Sequence, residues 1–590
     1  MSIQTLLSKL LFVALLLTGC KTNITTNADS SNTQQPSALQ VEHVVTYAYQ
    51  DLPDGVHSSK FSIDVEGQSV VLLQTTPPPA EMAINIKPGS QDGAKSYRQT
   101  QRSFSWGQFS FDPTKGPVNV QVSKLDENSG DVRDIIIRPK QLSGIAYKVV
   151  NKDLANRTVQ LQILQSNRKL SVEFVDDRYA VEKDLPLDAL LIFADQAEYM
   201  DYSAPPAKEA SDTYVVKANE GFDPQKAEQA TAVYFEAGTH NLGLWWVPTK
   251  VKHVYLAGGA YVIGSINSDH AGKNGQTGYT LSGRGVISGE KFAWRADTRT
   301  QGQTVCVDKN GYSTGCPSDG VKPVDIDQND FLVEGITLVN IPFYAFSVRP
   351  ESSFPRSEVK GTVRNVKLMG MWRYNNDGFD LPANIKLSDC FVAAMDDAFK
   401  VYHNNSSVKD CVVWQMDNGG IFQFGWYPKS VDTALIENIH VIHTEWTGLN
   451  KNRGLANLTE RPSTDTRSGT IKNIHFKNIY MEGPVSRVFY LRNEFYPNQS
   501  YANWTFENIH VESIPSYQEL VNIKQKFGGN GQLSPDLLFN AVESLSNTAS
   551  IKDIIFKNVY IAGEKMTQAN ATTTGRFTLT LQEGETVTFE

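Results

Sequence analysis

The sequence predicts an all-β protein in which an N-terminal antiparallel β-sandwich is followed by a right-handed parallel β-helix. Short runs of alternating apolar and polar residues fill the first part of the chain, which is typical of a sandwich. A short phrase then recurs through the rest of the chain, as it does in a solenoid. We expect the sandwich to cover residues 41–225 and the β-helix to cover 226–590.

The sandwich prediction depends on runs such as "SFSWGQFSF", "VNVQVSKL" and "TVQLQIL", which are separated by Gly, Pro, Asn and Asp. Alternation with a period of two residues places one side of each strand in a core. This part of the chain does not concentrate residues of catalytic type. Its role is either structural or in carbohydrate docking, and both interpretations remain open.

The recurring phrase has the form apolar-x-Asn/Asp-apolar-x-apolar, and its copies are about 20 to 45 residues apart. Each copy holds too few apolar residues to bury a face alone, so neighbouring copies must stack. The leucine frame of a horseshoe and the helices of TPR or ankyrin arrays are not seen, which favours a right-handed parallel β-helix. At the bends, side-chain amides and carboxylates satisfy the backbone. We assign that role to Asn438, Asn473, Asn508 and Asp553.

The composition narrows the possible partners. The 590 residues carry a net charge of −9, and no block of Lys and Arg is interleaved with aromatic residues. Nucleic acid is therefore not expected as a partner. The acidic balance also argues mildly against a strongly anionic polymer as substrate, although a local basic cleft would override it. We expect a monomer.

The first twenty residues, "MSIQTLLSKLLFVALLLTGC", have the features of an export signal. The apolar run from Leu10 to Leu17 is too short to span a bilayer. The ending resembles the lipobox of bacterial lipoproteins, in which Cys20 receives the lipid; a plain secretory signal with an incidental cysteine is the alternative. Residues 21–40 are polar and predict a flexible tether. Since Lys21 stands where an inner-membrane lipoprotein commonly has Asp, the resemblance implies an exported outer-membrane lipoprotein, on the periplasmic or cell-surface side, that contacts the membrane only through its lipid anchor.

Four cysteines remain in the exported body, where disulfides are permitted. Cys306 and Cys316 flank a Gly-containing loop and would close a hairpin. Cys390 and Cys411 stand in similar contexts 21 residues apart, which predicts stacked positions, either free or bridged. No CxxC or HxxxH spacing supports a zinc site. We expect neither a metal nor a cofactor.

The stretch from 374 to 405 collects Asp377, Asp380, Asp396 and Asp397. The interval from Asp377 to Asp396 is close to the shortest repeat spacing, which places the two residues on successive coils, about 4.8 Å apart in backbone. Carboxylates this close repel one another, and the pKa of at least one of them should rise. Hydrolysis of a glycosidic bond needs one protonated and one ionised carboxyl group. The sequence therefore predicts Asp377, Asp396 and Asp397 as catalytic residues.

Two other interpretations of these acidic residues remain. In the first, the acidic residues are turn residues, although turn residues would be more scattered along the chain. In the second, the acidic residues bind calcium. The order of the acidic residues does not match an EF-hand loop, but this leaves other calcium sites open.

Aromatic and amide side chains follow the acidic stretch, as is usual where a protein holds sugar rings. Trp414 is equally well explained by the core, whereas Trp426 follows several glycines and is expected in a cleft. The predicted substrate-binding residues are Asp380, Lys400, Tyr402, Gln423 and Trp426.

The passages "LSGRGVISGE", "YNNDGFD", "MDDAFKVY" and "WQMDNGGIFQFGW" resemble the dextranase–isopullulanase family of glycoside hydrolases. The resemblance implies a β-sandwich joined to a right-handed parallel β-helix and hydrolysis of α-glucans with inversion. It carries the family's catalytic trio onto Asp377, Asp396 and Asp397. It further implies that Asp396 is the general acid and that Asp377 and Asp397 orient the water.

The leading interpretation is thus an endo-acting hydrolase of a polysaccharide, with dextran and its α-1,6 linkages as substrate. Polygalacturonases share the acidic pattern but add a Gly-His-Gly segment, and here the corresponding region reads "NGGIFQFG". Pullulan, a pectin-like polymer or an algal glycan remain as other substrates of the same trio. A non-catalytic surface solenoid that binds carbohydrate and a polysaccharide lyase are the alternatives from other classes.

Overall fold

The computed structural model describes residues 43–78, 102–268, 277–306, 319–348, 358–446, 452–459, 465–527 and 538–590. The predicted signal peptide, Cys20, the tether and Cys316 lie outside the described residues. Among the described residues, no helix is long and apolar enough to cross a membrane.

The N-terminal part is a sandwich of two sheets, and the all-β prediction is confirmed. In the first sheet β5 lies between β1 and β13, and β10 and β7 follow. Its strands are β1 (Val44–Thr46), β4 (Leu72–Thr75), β5 (Ser103–Phe111), β7 (Asp134–Arg138), β10 (Arg168–Val175) and β13 (Asp188–Gln196). The second sheet contains β2 (Phe61–Val65), β3 (Gln68–Val70), β6 (Val118–Lys124), β8 (Tyr147–Asp153) and β9 (Thr158–Ile163), and a separate small pair is β11 (Tyr179–Ala180) with β12 (Leu185–Pro186).

The rest of the chain is a parallel β-helix, whose strands repeat in three ladders. The first ladder contains β14 (Thr213–Val216), β15 (Ala232–Phe235), β17 (His253–Leu256), β19 (Thr280–Gly283), β22 (Phe331–Glu334), β25 (Gly361–Arg364), β28 (Ile385–Ser388) and β31 (Ser406–Lys409). The second ladder contains β16 (Gly238–Trp246), β18 (Ala260–Ser268), β20 (Val286–Ser288), β23 (Thr337–Val339), β26 (Lys367–Leu368), β29 (Phe391–Ala394) and β32 (Val412–Gln415). Parallel pairing in the β-helix therefore begins at Thr213, ahead of the boundary expected near residue 225.

The third ladder starts on the end of β18 and carries the acidic stretch. It contains β21 (Val324–Ile326), β24 (Phe346–Val348), β27 (Phe379–Leu381), β30 (Phe399–Val401), β33 (Phe422–Gln423), β35 (Ala456–Asn457), β37 (Phe489–Arg492), β39 (Asn540–Glu543) and β42 (Phe577–Thr580).

Towards the C-terminus the first two ladders merge into long bent strands. These are β34 (Val431–Thr444), β36 (Gly469–Pro484), β38 (Gln499–Ser513) and β40 (Ile551–Ile561), followed by β41 (Glu564–Lys565) and β43 (Val587–Phe589). The α-helices are α1 (Pro224–Gln229) and α2 (Tyr517–Phe527). The 3₁₀ helices are Pro113–Lys115, Glu127–Ser129, Lys140–Leu142, Val181–Lys183, Glu198–Met200 and Thr298–Thr300.

The bends of the β-helix are built as the repeated phrase predicts. Asn438, Asn473, Asn508 and Asp553 all have φ between 55 and 59°. Asn and Asp tolerate this left-handed conformation better than other side chains. Asparagine side chains at these bends also bond from coil to coil, since Nδ2 of Asn438 donates to Asp410 at 3.0 Å and Nδ2 of Asn478 donates to Asn438 at 3.0 Å. The predicted turn role of the four residues is confirmed.

Stacked rings fill the inside of the third ladder. Phe379 and Phe399 stack with centroids 5.7 Å apart, and Phe399 and Phe422 stack at 4.8 Å. Because side chains alternate along a strand, the residue after each phenylalanine points outward. Those residues are Asp380, Lys400 and Gln423, so the interior stack fixes an exterior polar row.

The sandwich packs against the second ladder through large aromatic residues. Phe104 stacks on Trp372 at 5.0 Å and meets the edge of Trp414 at 4.8 Å. Nε1 of Trp414 donates to Glu445 at 2.6 Å, and Arg102 forms two hydrogen bonds with the same carboxylate. Trp414 is fully buried in this interface and therefore belongs to the core.

Cys390 and Cys411 occupy equivalent positions on adjacent coils, as their spacing predicts. Both are buried free thiols. Each Sγ donates to a carbonyl two residues earlier, that of Ser388 at 3.2 Å and that of Lys409 at 3.1 Å. Of the two states left open by the sequence, the structure contains the free one.

Candidate active site

The acidic segments lie at the corner between the second and third ladders. Asp377 precedes β27, and Asp396 with Asp397 precedes β30. The backbone N–H of Gly378 donates to the carbonyl of Asp397 at 2.9 Å, and that of Asp396 donates to the carbonyl of Asn376 at 3.2 Å. The structure therefore places the two segments against each other on successive coils.

Glycine is required on the next coil, directly against the acidic pair. Gly419 has φ of +84°, and a Cβ atom there would lie 2.2 Å from the carbonyl carbon of Asp396. A backbone atom cannot yield at that distance. The close packing of this corner thus depends on Gly419, in the "NGG" sequence that follows the acidic residues.

Asp396 is held by backbone donors. The N–H of Asn375 donates to Oδ2 at 2.9 Å, and the N–H of Asp397 donates to Oδ1 at 3.0 Å. Burial raises the pKa of Asp396 to about 6, and the charge of Asp397 adds to the increase. The two hydrogen bonds act in the opposite direction. Asp396 is therefore a carboxyl group that still carries a proton in mildly acidic solution.

Asp397 has a different environment, because donors surround its carboxylate. Oδ1 accepts from the N–H of Gly420 at 3.1 Å, from Gln423 at 3.2 Å and from Asn452 at 2.9 Å. Oδ2 accepts from Nε1 of Trp426 at 2.8 Å. Hydrogen bonds to a carboxylate are among the stronger ones, and these four fix the position of the Asp397 side chain.

Asp377 forms an ion pair with Lys400 on the neighbouring coil. Burial raises the pKa of Asp377, the charges of Asp396 and Asp397 add to the rise, and Lys400 opposes it. Burial alone lowers the pKa of Lys400, but the attraction of Asp377 outweighs it, so the pKa of Lys400 is raised and its charge is kept. In the described part of the chain, the buried Oδ1 of Asp377 has no hydrogen-bond partner. That oxygen can bond to substrate or water.

The remaining predicted binding residues surround these carboxylates. Asp380, Lys400 and Gln423 are in register on the third ladder, and Asp380 is the half-exposed member. Trp426 is half-buried with its indole N–H on Asp397. Tyr402 is buried, and its ring meets that of the exposed Tyr427 at 5.4 Å.

Sequence reasoning missed a second cation beside the trio. Arg295 donates to Oδ1 of Asn375, whose N–H in turn holds Asp396. The guanidinium lies 4.5 Å from the centre of the Trp294 ring, and burial lowers its pKa while attraction to Asp396 and Asp377 opposes the change. The adjacent Trp and Arg in "FAWRAD" were the available signal, since such pairs often stack.

Asn452 was also missed. It is fully buried and joins Asp397 to Gln423, whose Nε2 donates to Oδ1 of Asn452 at 2.6 Å. It lies 55 residues after Asp397, and no repeat phrase contains it. Among the described residues, no group of three or more His, Cys, Asp or Glu is arranged to hold a metal ion.

Comparisons with known proteins bear on the fold and on the class of protein. The family model for the Glycosyl hydrolase family 49 N-terminal Ig-like domain matches residues 18–195. A dextranase of Arthrobacter globiformis is 26% identical over 72% of this chain and 68% of its own. An isopullulanase of Aspergillus niger is 24% identical over 78% of this chain and 81% of its own. The solved structure of Dex49A from Penicillium minioluteum has the same fold, with a TM-score of 0.70 and 19% identity over 93% of this chain and 97% of that one.

The chain combines a sandwich with a parallel β-helix, and its similarity to these hydrolases supports the class of glycoside hydrolases. Because the relatives include a dextranase and an isopullulanase, the class narrows to enzymes that hydrolyse α-glucans. These matches support the resemblance to the dextranase–isopullulanase family of glycoside hydrolases that the four sequence passages indicated.

Proposed function

We propose that the protein hydrolyses α-glucan chains at internal bonds, with inversion, and that dextran and its α-1,6 linkages are the main substrate. The observation that carries the proposal is the difference between the surroundings of Asp396 and Asp397. Asp396 has a raised pKa of about 6, whereas the carboxylate of Asp397 accepts hydrogen bonds from four donors. One proton donor and one base side by side are what glycosidic hydrolysis requires.

In the proposed reaction, Asp396 donates its proton to the glycosidic oxygen as the bond from that oxygen to the anomeric carbon breaks. Asp377 and Asp397 orient a water molecule, which attacks the anomeric carbon from the opposite face and gives a proton to one of these carboxylates. The leaving chain keeps the proton from Asp396, and solvent restores the starting protonation. Lys400 and the donors to Asp397 hold the carboxylates in place.

The substrate class is supported by the relatives and by charge. The Arthrobacter globiformis relative is a dextranase, and the net charge of −9 suits a neutral glucan better than a polyanion. Pullulan is a second candidate, because the Aspergillus niger isopullulanase aligns with 78% of this chain.

The test is incubation of the purified protein with dextran, pullulan and polygalacturonate, followed by sizing of the products. We expect reducing ends and a rapid fall in the length of dextran, as endo action requires. Release from pullulan alone would select the second candidate. No release from any glucan would leave a non-catalytic binding solenoid.

We expect kcat/KM on dextran to fall above about pH 6. The general acid must carry its proton, and Asp396, with its pKa of about 6, loses that proton as the pH rises. The fall should approach tenfold for each pH unit. The measurement is a pH profile of kcat/KM between pH 4 and 8.5. A profile that stays flat up to pH 8 would argue against Asp396 as the acid.

We also propose that the protein is an exported outer-membrane lipoprotein with its lipid on Cys20. Replacing Cys20 by Ser should release a soluble protein that still degrades substrate, because the polar segment 21–40 carries no core residues. Fractionation of cells that express each form provides the measurement. Retention of Cys20→Ser in the membrane fraction would refute the anchor.

A further inference from the structure

A cavity lies between the sandwich and the β-helix. Its volume is about 270 Å³. Sandwich residues Asp54 and Gln74 line one side, and Glu290, Phe292 and Trp294 line the other. The trio does not line it, so the cavity is separate from the carboxylates that perform the proposed reaction.

The cavity adjoins the catalytic corner on its N-terminal side. The turn after β20 contributes Glu290 and Phe292, the turn after β23 contributes Asn340, and the turn after β26 contributes Arg373 and Asn376. Asp396 belongs to the following coil. With about 4.8 Å between coils, the lining lies roughly 5 to 14 Å from that coil along the axis. A chain bound at the catalytic corner would therefore reach the cavity only with sugars beyond the one being cleaved.

The lining has the chemistry of a sugar site. Phe292 and Trp294 both line the cavity, and the half-buried ring of Phe292 offers apolar surface to the C–H groups of a pyranose. Asp54, Glu290 and Gln74 supply acceptors for hydroxyl groups. Among the described residues, the buried Oε1 of Gln74 has no hydrogen-bond partner, while its Nε2 donates to the carbonyl of Gly55 at 3.0 Å. The carboxylates of Asp54 and Glu290 outnumber the guanidinium of Arg373 in the lining, which favours a neutral ligand over an anion.

The two walls are fixed relative to each other. Thr75 of the sandwich donates to Oδ1 of Asn340 at 2.5 Å, and Nε1 of Trp372 donates to Thr75 at 3.0 Å. Gly370 allows this approach, because a Cβ atom there would lie 2.8 Å from Oγ1 of Thr75. The cavity is therefore preformed, and a ligand would not have to order its walls.

We propose that this cavity is a remote subsite for a glucosyl unit of the substrate chain, built jointly by the sandwich and the β-helix. The inference rests on the proposed function and deepens it, since it assigns the sandwich a part in substrate binding. It makes the enzyme selective for long chains, because a short oligosaccharide cannot fill the catalytic corner and the cavity together.

The test compares kcat/KM on long dextran with kcat/KM on a short isomalto-oligosaccharide. We expect Asp54→Ala and Gln74→Ala each to lower the long-to-short ratio about fivefold, the effect of losing one or two hydrogen bonds to the sugar. Phe292→Ala should lower it as well. Gln121→Ala, at an exposed position on the second sheet of the sandwich, is the matched control and should leave the ratio unchanged.

The outcomes separate this inference from the proposed function. If the wild type cleaves dextran and the ratio does not change in Asp54→Ala or Gln74→Ala, the remote subsite is refuted while the function stands. An equal loss on long and short substrates would also refute it, because the variants would then act on the catalytic corner. If the wild type cleaves no glucan, the proposed function itself fails. Asp54 is exposed, so its replacement tests the subsite without a risk to folding.

Discussion

Replacing Asp396 by Asn should lower kcat on dextran by about 10²- to 10⁴-fold, the usual contribution of general acid catalysis. The amide cannot donate a proton to the glycosidic oxygen. Its side-chain oxygen can still accept one of the two backbone hydrogen bonds that reach Asp396. The fold should therefore persist, with a loss of stability of about 1 kcal/mol.

The matched control is Asp389→Asn on the same coil. Asp389 lies at another bend with φ of 55°, a conformation that Asn also adopts readily. We expect this control to retain wild-type kcat. Activity of Asp396→Asn within a few-fold of the wild type would remove Asp396 from the mechanism.

Replacing Lys400 by Met should abolish most activity and destabilise the protein by about 3–5 kcal/mol at neutral pH. The variant leaves the buried carboxylate of Asp377 without its cation, and breaking one side of a buried ion pair costs this much. Urea denaturation gives the stability. Lys386→Met, an exposed change on the neighbouring ladder, should be close to neutral.

The deficit of Lys400→Met should depend on pH in a defined direction. In the variant nothing replaces Lys400, which lowers the pKa of Asp377, so burial raises that pKa further above the value of about 4 in the unfolded chain. The folded state then binds more protons, so stability is retained below about pH 4 and is lost as the pH rises.

A double variant separates stability from catalysis. Lys400→Met combined with Asp377→Leu should recover most of the stability and remain inactive, because the buried charge is gone but so is a catalytic carboxylate. A deficit of Lys400→Met that does not change with pH would show that Asp377 is not the group left unpaired.

The fold was predictable because its signals are local. Each coil needs apolar residues at strand positions and Asn or Asp at its bends, and Asn438, Asn473 and Asn508 meet the second need with positive φ. The interval between Asp377 and Asp396 likewise indicated successive coils, since a solenoid converts sequence distance into stacking.

The partners of the acidic residues were not predictable in the same way. Arg295 comes from a coil far earlier in the chain and Asn452 from a segment with no repeat phrase, so no spacing connects them to Asp396 or Asp397. Trp414 is similar. Its burial depends on Phe104 of the sandwich, and the docking of one domain on another leaves no periodic pattern in either sequence.

The most direct test of the assigned roles is the anomeric form of the first product. If Asp396 protonates the leaving oxygen while Asp377 and Asp397 hold water on the opposite face, the water must fit between base and bond. Inverting enzymes separate acid and base by about 6.5–9.5 Å for this purpose, whereas retaining enzymes hold them about 5–5.5 Å apart. A proton NMR time course on dextran, begun before mutarotation, should show the β-anomer first. Initial release of the α-anomer would contradict the roles of all three aspartates.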